Sequence, residues 1–206
     1  MSEPKAVAER VEEVVPGVWT WSVHDERIDF VSTAHAVAGT DGVVLIDPLP
    51  LDPDALHSLG DVAAICLTAG THQRSAWRYR REFDVPVHAP ALSRLIDEEP
   101  DERYGDGDQL PGGLLAVFTP GGGTTQHTFL LEREGGVAFV PDLMVNVPGR
   151  GLQITADEYV HDSAEARRSI DKVLGLPFSV LCLNHGAPVT EDPKGAIRSL
   201  LVRHPS

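Results

Sequence analysis

The chain has 206 residues, of which 42% are apolar and 6% aromatic, enough for one medium domain with a sizeable core. Its formal charge is −14, from 31 acidic against 17 basic residues. That balance argues against nucleic acid and anionic membrane as partners, because both require a basic footprint. Lysine occurs only at Lys5, Lys172 and Lys194. No apolar run approaches bilayer length. The start, Met1-Ser2-Glu3-Pro4-Lys5, lacks the basic-then-apolar order of a signal peptide, so the expected location is cytoplasmic. Cys66 and Cys182 each lie in an apolar strand-like run with no disulfide or metal spacing, and read as buried thiols.

A single domain over 1–206 is expected, with residues 1–12 charged and loose. Val14 to Trp21 opens a β-rich half with a Pro16-Gly17 turn. Ile28–Thr33, Ala36–Ala38 and Val43–Ile46 read as strands, the last two joined by the turn Gly39-Thr40-Asp41-Gly42. Pro53–Ser58 is short and helix-like. Val62–Leu67 is a continuous apolar run, the mark of a buried strand. Ser75 is placed to cap a helix beginning Ala76-Trp77. Val85–His88 reads as a strand, Ala91–Ile96 as a helix and Asp97–Asp108 as an acidic connection. Leu114–Phe118, Thr128–Leu131 and Val137–Val140 follow as strands, and Asn146–Thr155 as a loop. Ser163–Leu174 carries Ala166, Ile170, Val173 and Leu174 at helical spacing with Gly175 behind it. Phe178–Leu183 is a buried strand, and Asp192-Pro193 opens a last helix. Two sheets with helices outside would bury these runs, giving an α/β sandwich.

Five segments carry a family resemblance: Val43-Val44-Leu45-Ile46-Asp47-Pro48, Ile65-Cys66-Leu67-Thr68, Phe118-Thr119-Pro120-Gly121, Phe139-Val140-Pro141-Asp142 and Leu183-Asn184-His185-Gly186-Ala187-Pro188. In this order and spacing the chain resembles the metallo-β-lactamase superfamily. The resemblance implies a four-layer αββα sandwich of metallo-β-lactamase type, hydrolase-like chemistry and, in most members, two zinc ions held by H-x-H-x-D-H and later ligands. Carried over residue by residue, those ligands fall on Ala69, Thr71, Gln73, Arg74 and Gly122, with only Asp142 and His185 retained. A one-residue shift of the loop puts His72 on the second histidine position. Zinc needs three or four donors, and a two-metal hydrolase about twice that. The chain also resembles a degenerate branch of the superfamily, through Leu67-Thr68, His72-Gln73-Arg74, the run Asp106-Gly107-Asp108-Gln109-Leu110-Pro111-Gly112-Gly113-Leu114, and Pro120-Gly121-Gly122.

The candidate catalytic residues are His72, Arg74, Asp142, His185 and His127, and the candidate metal ligands are His72, Asp142 and His185. The cofactor expectation is none, or a single divalent metal, zinc first. His72 reads as a residual ligand or general base. Arg74 reads either as an anion-binding fork or as a cation that replaces lost metal charge beside Asp142. Asp142 and His185 form a mononuclear site with His72, an acid–base pair, or a hydrogen bond left from ancestry. His127 follows a glycine-rich turn near the vacated histidine position. His35 reads as a core histidine, and His24, His57, His88, His161 and His204 as loop or surface residues. No G-x-S-x-G elbow supports serine catalysis. The expected partner is a small-molecule substrate or ligand, with anions among the candidates. Three functions compete: a hydrolase with one metal or none, a catalytically inactive pseudoenzyme that binds a small molecule or a partner, and a metal-free His–Asp enzyme of another reaction type.

Overall fold

The computed structural model describes residues 3–94 and 97–203. The first sheet has seven strands in chain order: β1 (Glu12–Val15), β2 (Val18–Asp25), β3 (Phe30–Ala38), β4 (Val43–Ile46), β5 (Val62–Cys66), β6 (Val87–Pro90) and β7 (Glu102–Tyr104). β1 to β4 pair antiparallel through tight turns, and β4 to β7 pair parallel through longer crossovers. The crossovers carry α1 (Pro53–His57) and α2 (Ala76–Phe83).

The second sheet takes β8 (Gln109–Leu110), β9 (Leu114–Phe118), β10 (His127–Leu131) and β11 (Val137–Val140) from consecutive hairpins. A separate hairpin of β12 (Met144–Val147) and β13 (Gly151–Ile154) comes next, then α3 (Ser163–Leu174). β14 (Val180–Leu183) returns parallel to β11, so the sheet order is β14-β11-β10-β9-β8. α4 (Pro193–Arg203) closes the described chain.

Three apolar clusters define the layers. Leu45, Ile65, Trp77 and Tyr79 pack the helices onto the outer face of the first sheet. Val44, Ile46, Cys66, Phe129, Phe139 and Cys182 fill the space between the sheets. Leu130, Leu181, Ile170 and Ile197 join α3 and α4 to the second sheet. Adjacent residues of β4 therefore feed different cores, Leu45 outward and Val44 and Ile46 inward, which is why the strand reads as a continuous apolar run. The result is the αββα sandwich that the resemblance implied. Both cysteines are buried and free. No helix among the described residues is long and apolar enough to cross a membrane.

Several local expectations need correction. Ile28 and Asp29 lie in the turn before β3, and the rest of the expected strand Ile28–Thr33 joins Ala36–Ala38 in that one strand, because Thr33, Ala34 and His35 are buried within it. Asn146–Thr155 is not a loop, since most of it belongs to the β12–β13 hairpin. Its two short runs flank Pro148 and Gly149 and carry too few residues for a periodic signal. Asp97–Asp108 contains β7, whose Tyr104 hydroxyl donates to the Leu67 carbonyl at 2.6 Å. Of the helix expected over Ala91–Ile96, residues 91–94 form a turn and irregular chain, and Leu95 and Ile96 lie outside the described residues, as does His204. Residues 3–11 are not loose along their length: Ala8 is buried, its N–H donates to Pro50 O and its carbonyl accepts from Asp52 N. Ser75 precedes α2, but its hydroxyl makes no cap hydrogen bond. Gly175 ends α3 at φ −73°, a conformation open to any residue.

Candidate functional site

The candidate residues meet where parallel strands end. β4 delivers Asp47, β5 delivers Thr68 and the loop to Arg74, β11 delivers Asp142, and β14 delivers Asn184 and His185. Carboxyl ends of parallel strands are where α/β folds gather ligand-facing groups, because the crossovers open there.

Asp47 is the foundation. It is fully buried with a left-handed backbone at φ 46°. The Thr68 N–H donates to its Oδ1 at 2.8 Å and the Thr68 hydroxyl to its Oδ2 at 2.5 Å. Asn184 Nδ2 donates to Oδ2 at 2.6 Å, and His72 Nδ1 stands 3.1 Å from the same oxygen. The other face of His72 meets Asp142, with Nε2 to Oδ2 at 3.0 Å. One imidazole therefore lies between two carboxylates. Burial opposes charge on His72, but Asp142 and Asp47 outweigh it and raise its pKa to about 9. Burial likewise pushes Asp142 up, yet the His72 charge, then the His185 contact, hold it well below the usual carboxylate range. Asp47 is also lowered, against its burial, by His72, Arg74 and Thr68.

His185 closes the outer side. Its Nδ1–H donates to the Val31 carbonyl at 2.8 Å, which turns Nε2 toward Asp142 Oδ1 at 3.3 Å. The contact is not an aligned hydrogen bond, and Oδ1 is buried without a hydrogen-bond partner. Solvent reaches 26% of the Asp142 side chain and 14% of His185, against 7% of His72. Asp142 and His185 form the accessible surface and His72 the floor. Beside them a groove of about 600 Å³ begins at Val31 and Gly186 and runs past Phe30, whose ring centroid lies 5.7 Å from that of His185. None of Asp142, His185 and His72 lines it.

Arg74 lies beneath the cluster, 6% exposed and at φ 39°. Its Nη1 donates to the carbonyls of Thr33 (2.8 Å) and Asp47 (3.1 Å). These main-chain bonds hold a left-handed arginine that would otherwise cost about 1 kcal/mol or more. Burial lowers its pKa against the pull of Asp47, Asp142 and Asp25. His127 is elsewhere: buried, its Nδ1 donates to the Thr125 carbonyl at 3.0 Å and its ring packs on Tyr104 and Phe118. His35 is a core residue donating to Leu183 O at 3.1 Å, and burial lowers its pKa to about 4. The site thus joins His72, Asp142 and His185, sets Arg74 behind them and leaves His127 among aromatics. Asp47, Thr68 and Asn184 were absent from the sequence-derived site. Each lies in a segment that carried the resemblance, and Asp47 stood there as a strand-end residue.

The metal pair implied by the resemblance does not fit these residues. Ala69 and Gly122 have no donor, and Gln73 Oε1 already accepts from Trp77 Nε1 (2.7 Å) and Asp97 N (3.2 Å). A side chain at Gly122 would begin 2.7 Å from both the Asp142 carbonyl and Gln126 Oε1, so the vacated position has been filled. Arg74 puts a fixed cation where a ligand would stand. Among the described residues no group of three or more His, Cys, Asp or Glu side chains is set to hold a metal ion.

Solved structures share this architecture. DIM-1 metallo-β-lactamase aligns with a TM-score of 0.75 at 14% identity, over 96% of this chain and 98% of its own. The metallo-β-lactamase from Pontibacter korlensis gives 0.75 at 17% identity, over 96% and 100%. A metallo-β-lactamase family protein from Thermus thermophilus gives 0.62 at 20% identity, over 93% and 80%. At such identities the likeness speaks for the fold alone. No curated protein matches the chain significantly. A family model described as the metallo-β-lactamase superfamily matches residues 13–194, and the chain belongs to that superfamily.

Proposed function

We propose that this protein is a hydrolase-like member of its superfamily that works by metal-independent acid–base chemistry at Asp142 and His185. The observation that carries this reading is Asp142 fixed between two imidazoles, with His72 buried behind it and His185 at the surface. Near neutral pH a carboxylate held far below its usual range is a poor base, so proton transfer falls to His185. The Val31 carbonyl fixes the His185 ring by binding its Nδ1–H, which leaves Nε2 as the proton acceptor. Asp142 stabilises the imidazolium formed when His185 takes a proton from water. The groove past Phe30 gives room for the rest of a small-molecule substrate. Arg74 is committed to main-chain carbonyls beneath the site, which favours a structural over a substrate-binding role.

The test is turnover by chelator-treated protein on a panel of lactones, esters, thioesters, β-lactams and phosphodiesters. Activity that survives EDTA and falls at least about 100-fold in His185→Gln supports the reading. Activity abolished by EDTA and restored by zinc overturns it in favour of a single-metal hydrolase. A silent panel overturns it in favour of a pseudoenzyme that binds a small molecule.

A further inference from the structure

The first sheet has an uncovered edge beside the site. β1 pairs with β2 only from Val15–Val18 to Glu12–Thr20, whereas β2 runs on to Asp25. The next residues of β2 to face this edge are Ser22 and His24. Their partners in β3 turn the other way: Thr33 gives its N–H to the Asn184 carbonyl at 2.8 Å, and the Val31 carbonyl accepts from His185 Nδ1. Residues directly opposite in an antiparallel ladder exchange both main-chain bonds or neither, so the N–H and C=O of Ser22 and His24 point outward, away from β3. Among the described residues no main-chain group pairs with them. The segment before β1 does not continue along the edge, because Ala8 is bonded to Pro50 and Asp52 over the outer face.

The groove of about 600 Å³ lies along this edge. One wall carries Ala6 and Ala8, which pack with Trp21 and Val23 on the outer face of β2. The other carries Ala187 and Pro188 on the inner face, where the Thr33 hydroxyl donates to the Gly186 carbonyl and lies 2.9 Å from Ser22 Oγ. Glu9, Arg10 and Glu12 stand at the β1 end, two carboxylates against one guanidinium.

We propose that this groove is a docking site for a short extended peptide carrying a basic residue, which adds to the β2 edge in line with β1. The edge offers N–H and C=O on alternate residues, a repeat that an amide backbone matches and an apolar chain does not. Side chains of an added strand alternate between faces, so they reach both walls. The acidic excess at the β1 end selects lysine or arginine on the peptide over aspartate or glutamate. The groove's other end lies at Val31 and Gly186, which brings one end of the peptide close to His185. This site deepens the catalytic reading by naming the class of molecule the groove takes. Binding is read without turnover, so failure of one and failure of the other are separate results.

The experiment is calorimetry of the full chain with an end-blocked pentapeptide of alternating valine and lysine. A Kd below about 1 mM is expected. It should rise at least about tenfold when alternate peptide amides are N-methylated, and by a similar factor when glutamate replaces lysine. Ser22→Pro removes an edge donor that faces away from β3 and should weaken binding about tenfold. Glu9→Lys/Glu12→Lys should reverse the preference between the lysine and glutamate peptides. In wild type, hydrogen exchange at the Ser22 and His24 amides should slow at least about tenfold when the peptide is bound, a readout that stands even if Ser22→Pro fails to fold. The proposal is overturned if no peptide binds at about 1 mM, if the N-methylated peptide binds as tightly as its parent, if decanoate binds and the peptides do not, or if exchange at Ser22 and His24 is unchanged.

Discussion

His72 Nε2 lies 3.0 Å from Asp142 Oδ2, a hydrogen bond spanning 70 residues of sequence and joining the ends of strands from two different sheets. The same ring reaches Asp47 through Nδ1. This arrangement makes stability, and not only reactivity, depend on the site.

Stability should peak near pH 6.5 and fall on both sides. The His72 pKa is raised from 6.5 to about 9, so its stabilisation is complete below 6.5 and is lost as pH climbs through about 9. Asp142 and Asp47 are lowered from 3.8, so theirs is complete above that value and fades as pH falls further. His35, which burial lowers from 6.5 to about 4, contributes fully above 6.5 and loses that contribution as pH falls through about 4, so the acid limb begins just below pH 6.5. Urea midpoints from pH 4 to 10 should fall on the alkaline limb by about 3 kcal/mol in total. A flat alkaline limb would show that His72 carries no charge.

Asp47→Asn should cost about 3 kcal/mol, seen as a Tm drop of roughly 10 °C with unchanged far-ultraviolet dichroism. The carboxylate accepts from Thr68 twice and from Asn184 once, and an amide in its place sets a donor against a donor. Removing it also strips His72 of one of its two anions.

Arg74→Lys should destabilise by about 2 kcal/mol despite keeping the charge. The guanidinium reaches the Thr33 and Asp47 carbonyls together, and one ammonium replaces that fork poorly. Chemical denaturation measures it, and a loss below the error of the method would reduce Arg74 to a point charge.

Gly122→His restores the residue type of the family position, yet it should not restore zinc. Its Cβ would begin 2.7 Å from Asp142 O and from Gln126 Oε1, so about 2 kcal/mol of overpacking strain is expected instead. Elemental analysis of the purified variant should find no stoichiometric zinc, and calorimetry should find a lower Tm than wild type.

Gly186→Ala tests the loop that carries His185. Gly186 sits at φ 94°, and an added Cβ would come 2.0 Å from the Asn146 carbonyl. The loop must move, breaking the bond from Asn146 N to the His185 carbonyl, at a cost of about 3 kcal/mol or more. On the proposed mechanism, activity should fall with little change in strand content by dichroism.

Much of the architecture was legible along the chain. The β3–β4 turn, the buried run at β5, the amphipathic α3 and the five ordered segments are local patterns, set by side-chain periodicity and turn chemistry. The β12–β13 hairpin escaped notice because four-residue strands beside Pro148 and Gly149 carry no period. β7 escaped because its pairing with β6 is formed through space. His72, Asp142 and His185 were readable as candidates by residue type and position. Sequence alone could also say that Ala69 and Gly122 carry no donor, since an alanine or glycine side chain cannot ligate anywhere.

What replaces them was decided only by tertiary structure. Whether an imidazole is base, ligand or cation depends on which charges lie within a few ångströms in a low-dielectric interior, and Asp47, His72 and Asp142 come from three strand ends far apart in sequence. The composition fixed the overall negative charge of the molecule. The packing of the two sheets set a local balance of cations and anions at the core of the site.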